Sequence, residues 1–346
     1  MKIRSRRSMA RRRASPRGRV RYAVVGLGHI AQAAVLPAFR HARANSELAA
    51  LVSGTPDKLR VLGRRYGVRR LCSYDDMDEL FASGDIDAAY IALPNHMHRE
   101  YTIRAARAGL HVLCEKPMAV SARDCAQMIR ATERARVKLL IAYRLHFERT
   151  NLRASQIVRS GVLGDVRFFS SDFSMQVAKN NIRLKRAYGG GPLYDIASHR
   201  IDLLNHFFGE PQDVRACLSN AVHSIAVEDS ATVLMKYANG IHAIVDVRWN
   251  SRISRDEFRI VGTEGEIDLS PLNGPSLLWP GGCEQLPSHQ NLHFPCIKNF
   301  VDAVLNNEIL LSSGASAHLT DWITEKAVAN GRIIPEHHAN LFIPNR

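Results

Sequence analysis

No apolar run in the 346 residues approaches the roughly 20 that a membrane-spanning helix needs, so none is expected in this chain. Cysteine is sparse. Cys72, Cys114, Cys125, Cys217, Cys283 and Cys296 form no C-x-x-C pair and no zinc-finger spacing, which argues against a zinc module or a disulfide framework. They are expected as small buried hydrophobes or idle thiols in a reducing cytoplasm. Acid is missing from the start of the chain: Met1 to Arg21 hold ten Lys or Arg and no Asp or Glu. The net charge of +14 therefore shrinks to about +4 for the body, too little to imply a nucleic-acid partner. The first 19 residues also lack hydrophobic periodicity and are expected to be a disordered basic tail. They lack as well the apolar stretch that a twin-arginine export signal would place after Arg6-Arg7.

What is present is a length suited to two domains, with 46% hydrophobic and 23% charged residues, ordinary for a soluble globular protein. Up to Tyr143, short apolar runs (22–25, 48–52, 88–93, 111–114, 139–142) alternate with helical patterns (30–40, 56–66, 97–108, 122–134). Near-continuous hydrophobicity in strands that alternate with helices predicts a doubly wound parallel sheet, here assigned to residues 20–145. Residues 146–346 read differently: a helix at 152–159, a strand at 166–173 and a helix at 192–208, followed by strands at 214–219, 231–237, 241–249 and 257–261. Asn239-Gly240 marks a tight hairpin with positive φ expected at both residues. Helices at 297–305 and 319–328 close the chain. A mostly antiparallel sheet with helices on one face is predicted, giving an α/β protein of two unlike units.

Directly after the first strand stands Gly26-Leu27-Gly28-His29-Ile30-Ala31, the G-x-G-x-x-G/A arrangement that brings backbone N–H groups against a pyrophosphate at a helix N-terminus. The strand before it and the helix after it make the pattern specific. An NAD site normally ends its second strand with an acid on the ribose hydroxyls; here that place reads Ser53-Gly54-Thr55-Pro56-Asp57-Lys58. With no carboxylate to repel a 2′-phosphate, and with Ser53 as donor and Lys58 as cation, NADP is favoured over NAD.

Leu93-Pro94-Asn95-His96-Met97-His98 and Cys114-Glu115-Lys116-Pro117 follow two more strand ends, the side on which open α/β sheets bind ligands. Lys116 is placed to hydrogen-bond a substrate oxygen. A third constellation, Gly189-Gly190-Gly191-Pro192 leading into a helix, is expected to approach a ligand closely. On that helix Asp195, His199 and Asp202 fall on one face at i, i+4 and i+7. A histidine between two carboxylates would be held in one tautomer and made more basic, as removal of a hydroxyl proton requires. A capping and ion-pair network is the competing reading, and the donors are too few for a metal site.

Together these residues resemble the Gfo/Idh/MocA oxidoreductase family, through Gly26-x-Gly28-x-x-Ala31, Pro94-Asn95 with His98, Glu115-Lys116-Pro117, Gly189-Gly190-Gly191 with Asp195 and His199, and Gly262-Thr263-Glu264-Gly265. Within it the chain looks most similar to the glucose-fructose oxidoreductase branch, by Ala50-Leu51-Val52-Ser53-Gly54, Cys114 to Ala119, and Tyr143-Arg144. The resemblance implies a Rossmann domain followed by an α/β domain with a large open sheet, commonly used for assembly into a homodimer or homotetramer. It also implies hydride transfer at the nicotinamide, with Lys116, Asp195 and His199 in the catalytic positions. Cofactor contacts are implied at Gly26, Gly28, His29, Ile30, Ser53, Gly54, Thr55, Lys58, Leu93, Pro94, Asn95, His98, Glu115, Lys116 and Arg144. One departure is His199, where that branch carries tyrosine, which favours an ordinary sugar or cyclic-polyol dehydrogenase over a two-substrate enzyme with retained NADP. A nucleotide-binding sensor without turnover is the alternative of another class, and the intact trio argues against it.

Overall fold

The computed structural model describes residues 18–178, 181, 184–185, 190–220 and 227–333. Most of the basic tail and Gly189 lie outside the described residues.

Six parallel strands, β1 (Val20–Val25), β2 (Ser46–Val52), β3 (Arg70–Cys72), β4 (Ala88–Ile91), β5 (His111–Cys114) and β6 (Leu139–Ile141), lie in the order β3-β2-β1-β4-β5-β6. Tyr22 and Val24 face one apolar core, and Ala23 and Val25 face another on the opposite side of the sheet. A strand covered on both faces has no polar side to alternate with, hence the continuous hydrophobic runs. The reversal of strand order between β1 and β4 opens a crevice at their carboxyl ends.

A nine-stranded sheet forms the second unit: β7 (Val166–Gln176), β8 (Asp213–Ser219), β9 (Ser230–Lys236), β10 (His242–Arg248), β11 (Asn250–Gly262), β12 (Glu266–Leu269), β13 (Ser276–Trp279), β14 (Gly282–Gln285) and β15 (Arg332–Ile333). Its pairs are antiparallel except β7 with β10 and β8 with β15. Ala243, Val245 and Val247 of β10 enter a core shared with the helix Ser198–Phe208, whereas Ile244, Asp246 and Arg248 between them stay outside it. The alternation of one buried and one open face is legible in these strands.

Three expectations need correction. The β9–β10 turn has positive φ only at Gly240 (+74°), not at Asn239, and the Gly240 N–H donates to the Tyr237 carbonyl at 3.1 Å. This is a longer hairpin loop ending in a left-handed glycine. The helix expected from Pro192 begins as a π-helical turn, Leu193–Ala197, and becomes α-helical only at Ser198. Finally, the helix Phe294–Asn306, grouped by sequence order with the second unit, buries Cys296, Ile297, Phe300 and Val301 against Tyr22 and Val24 of the first sheet. Chain order cannot reveal such a return, because an apolar helix face carries no address.

Candidate active site

At the carboxyl ends of β1, β2 and β4 lies a cleft of about 340 Å³. Gly26, Gly28, Ser53, Gly54, Thr55, Lys58, Leu93 and Pro94 line it, and Tyr74 adds an aromatic wall over Gly54. Gly26 holds φ at +94°, and a Cβ there would stand 2.5 Å from the Ala92 carbonyl oxygen, so only glycine permits the crossing of β1 past β4. A Cβ at Gly28 would instead meet open space, where backbone can approach a phosphate. Gly28, His29 and Ile30 are exposed at the start of the helical segment. Ser53, buried at the end of β2, accepts the Thr55 N–H at 3.2 Å and keeps its own proton to donate. These residues fit a dinucleotide phosphate chain and an adenosine end.

The second cluster stands beyond β5 and β6. Lys116 Nζ donates to the Asp195 carbonyl at 2.7 Å and to its Oδ1 at 3.0 Å, joining the loop after β5 to the π-helical turn of the second unit. His199, one turn on, meets the Tyr143 ring edge-on at 5.7 Å, and its Nδ1 is enclosed with no hydrogen-bond partner among the described residues. Burial, and then the positive charges of Lys116, Arg144 and Arg200, hold its proton affinity well below the ordinary histidine value, so the ring is neutral. This reverses the expectation of a histidine made more basic between two acids. Asp202 faces away from His199: its carboxylate pairs with buried His146 and accepts from Thr320 at 3.0 Å. The π-helical turn spoils the face on which an unbroken α-helix would align all three residues.

The remaining predicted positions divide by environment. His98 is fully buried, with Nδ1 2.9 Å from the Pro117 carbonyl and Nε2 2.8 Å from that of Leu93. It ties the loops after β4 and β5 together and does not line the cleft. Asn95 is half-buried in the short turn before it. Arg144 is partly exposed; it donates to Asn273 at 3.1 Å and stands 3.5 Å from buried Glu148. Glu115 is buried, receives the Tyr90 hydroxyl at 2.9 Å and has His293 Nε2 at 3.4 Å. Although burial opposes ionisation, His293 and Tyr90 keep its carboxyl below the usual range. Gly191 closes on the Glu228 carboxylate, which also accepts the Leu193 N–H, so its small size serves the helix start and not a ligand.

Tyr74, Tyr90, Glu228, Asn273 and His293 are the site residues that sequence reasoning missed. None sits in a spacing motif; each arrives from a different loop or strand, and only His293, a polar residue beside an apolar helix start, offered a signal. No group of three or more His, Cys, Asp or Glu that could hold a metal occurs among the described residues.

Comparison with known proteins identifies the family and fold. The profile described as the oxidoreductase family with an NAD-binding Rossmann fold matches residues 20–143, and that of the GFO/IDH/MocA C-terminal domain matches residues 151–268. An uncharacterized oxidoreductase, ORF334, of Rhizobium meliloti is 32% identical over 259 residues, covering 73% of this chain and 75% of the relative. A D-xylose 1-dehydrogenase (NADP(+)) of Haloferax volcanii is 28% identical over 252 residues, covering 72% and 75% respectively. Among solved structures, the aldose-aldose oxidoreductase from Caulobacter crescentus complexed with glycerol superposes with a TM-score of 0.84 at 31% identity, over 90% of this chain and 97% of that one.

Proposed function

The chain belongs to the Gfo/Idh/MocA family of NAD(P)-binding oxidoreductases, and on that premise we propose that it interchanges a hydroxyl and a carbonyl on a sugar or cyclic polyol with NADP as partner. The observation that carries the reading is Lys116 held by Asp195 beside a neutral His199 whose Nδ1 has no hydrogen-bond partner among the described residues, at the strand ends where a nicotinamide would lie. The bound nucleotide supplies the hydride acceptor or donor. Lys116 hydrogen-bonds the reacting oxygen and draws charge onto it. His199 takes the hydroxyl proton as the carbon–hydrogen bond gives up its hydride, and returns it in the reverse direction. Asp195 fixes the direction of Lys116 Nζ. The cations that depress His199 also favour a hydroxyl oxygen gaining negative charge; the same field opposes charging the ring, so it assists the alkoxide half of the proton transfer only.

NADP is supported by Ser53, Thr55 and Lys58 in the cleft wall and by the absence of an acid at the end of β2. Ser53→Asp would set a carboxylate against a 2′-phosphate and should weaken NADP binding by about tenfold or more while sparing NAD. Fluorescence titration with both reduced nucleotides checks this; unchanged NADP affinity in the variant would remove the basis for preferring it.

A second reading, sugar-to-sugar transfer on a retained nucleotide, is favoured by the likeness to the Caulobacter enzyme. Absorbance of the purified protein near the reduced-nicotinamide band, before and after a panel of sugars, separates the two. Nucleotide released only on denaturation and reduced in place by an aldose supports retention; turnover of added NADP by an empty protein supports the ordinary dehydrogenase. Failure to bind either nucleotide would overturn both. A cytoplasmic location and homo-oligomeric assembly through the open face of the second sheet belong to the same proposal.

A further inference from the structure

Glu115 precedes Lys116, is buried, and is held ionised, so its charge needs partners inside the protein. Lys116 itself is committed to Asp195. Tyr90 supplies one neutral donor to Glu115 Oε1, and a second polar neighbour is His293 Nε2 at 3.4 Å, likewise buried.

His293 does not come from the nucleotide-binding strands. It arrives on the segment that returns from the second sheet, and that segment is fastened at several points. His289 Nε2 lies 3.1 Å from the Phe147 carbonyl, Asn291 Nδ2 donates to the Ala34 carbonyl at 3.0 Å, and Asn291 Oδ1 accepts the His293 N–H at 2.8 Å. Ala34 belongs to the helical segment that follows the glycine turn. The helix Phe294–Asn306 then buries its apolar face in the first sheet's core. On the other side of Lys116, the Pro117 carbonyl is held by His98. The reactive lysine is thus flanked by two histidines, one from its own sheet and one brought by the returning segment.

We propose that His293 is a positioning residue: by holding Glu115 it fixes the backbone that carries Lys116, making alignment of the lysine conditional on docking of the returning segment. The inference rests on the oxidoreductase reading for its effect on turnover, and on the Glu115 contact alone for its effect on the loop.

The test compares His293→Leu, which removes the nitrogen, with His293→Gln, whose amide can reach the Glu115 carboxylate. In His293→Leu, kcat should fall by about tenfold or more with KM for nucleotide and nucleotide affinity little changed, and His293→Gln should recover most of the loss. Hydrogen exchange read by mass spectrometry should show the amides of residues 114–119 exchanging faster in His293→Leu and near wild-type rates in His293→Gln. Equal kcat in all three proteins, or equal loss in both variants, overturns the positioning role, since packing alone would not distinguish leucine from glutamine in this way. Unchanged exchange in His293→Leu overturns it as well. If the wild-type protein turns over no sugar with either nucleotide, the functional reading fails, and the exchange pattern still decides the contact. Should His293→Leu not fold, His293→Asn, with an amide too short to reach Glu115, takes its place.

Discussion

Lys116→Ala should lower kcat by about three orders of magnitude while nucleotide affinity stays within about a factor of two, the range expected when a positioned donor to an oxygen gaining negative charge is lost. The size of the effect follows from the arrangement. Lys116 joins the loop after β5 to the π-helical turn carrying Asp195, through contacts of 2.7 and 3.0 Å. Without it the reacting oxygen loses its donor, and Asp195 is left as an acid beside the place where negative charge develops. His199 cannot compensate, because burial and its cationic neighbours keep it neutral. Steady-state kinetics with the active sugar, together with titration of the reduced nucleotide, check both parts. A variant that no longer binds nucleotide would move Lys116 from the substrate to the cofactor.

Asp321→Asn is expected to stabilise the protein, and only above acid pH. Asp321 lies in the helix Gly314–Asn330; its Oδ2 accepts from Cys125 Sγ at 3.2 Å, and its Oδ1 is buried with no partner among the described residues. Burial raises its carboxyl from 3.8 to about 7, against the opposing hydrogen bond from Cys125. A carboxyl that holds its proton more tightly when folded favours folding fully at pH values below the unfolded pKa. That contribution is lost as pH rises from near 4 to near 7, and no further change follows above 7. The shift corresponds to about 4 kcal/mol in total. An asparagine with its oxygen in the Oδ2 place and its nitrogen in the unpartnered Oδ1 place avoids the charge. Urea unfolding of both proteins at pH 4.5, 6 and 8 should show the variant's advantage growing and then levelling. An advantage that is the same at all three would mean the carboxyl is not the source.

The parts of the fold that could be read in advance are those in which a local pattern has a single physical cause. Runs such as 22–25 and 88–91 are apolar on every residue because both faces of their strands are covered. Gly26 and Gly28 stand where a turn must pass a neighbouring strand and a phosphate must approach backbone. The exposed edge strand β3 was missed for the converse reason: Arg70 and Leu71 have no deep core to enter, so three residues carry no signal. Strands β12 to β14 are four residues each, too short for an alternation to stand out.

In the site, spacing along a helix misled where the helix is not α. Asp195, His199 and Asp202 look like one face by count. The π-helical turn at Leu193–Ala197 breaks that face, and Asp202 turns to His146 and Thr320. Proton affinity was equally beyond reach, since it depends on charges brought from elsewhere. Burial first, and then Lys116 from the loop after β5, Arg144 from the turn after β6 and Arg200 beside it, make His199 less basic, although its chain neighbours include two acids.

By itself the sequence determined the order of the longer elements, the sheet type of each unit, the nucleotide crevice and the identity of Lys116, Asp195 and His199 as residues of interest. Each of these is written in residues close together in the chain, where backbone geometry and side-chain period act directly. Only the tertiary structure decided that Lys116 pairs with Asp195, that His199 is neutral, that Glu115 is held by a histidine 178 positions later in the chain, and that the helix Phe294–Asn306 belongs to the first core. Those facts are set by which surfaces bury one another, and burial joins residues without regard to their distance along the chain.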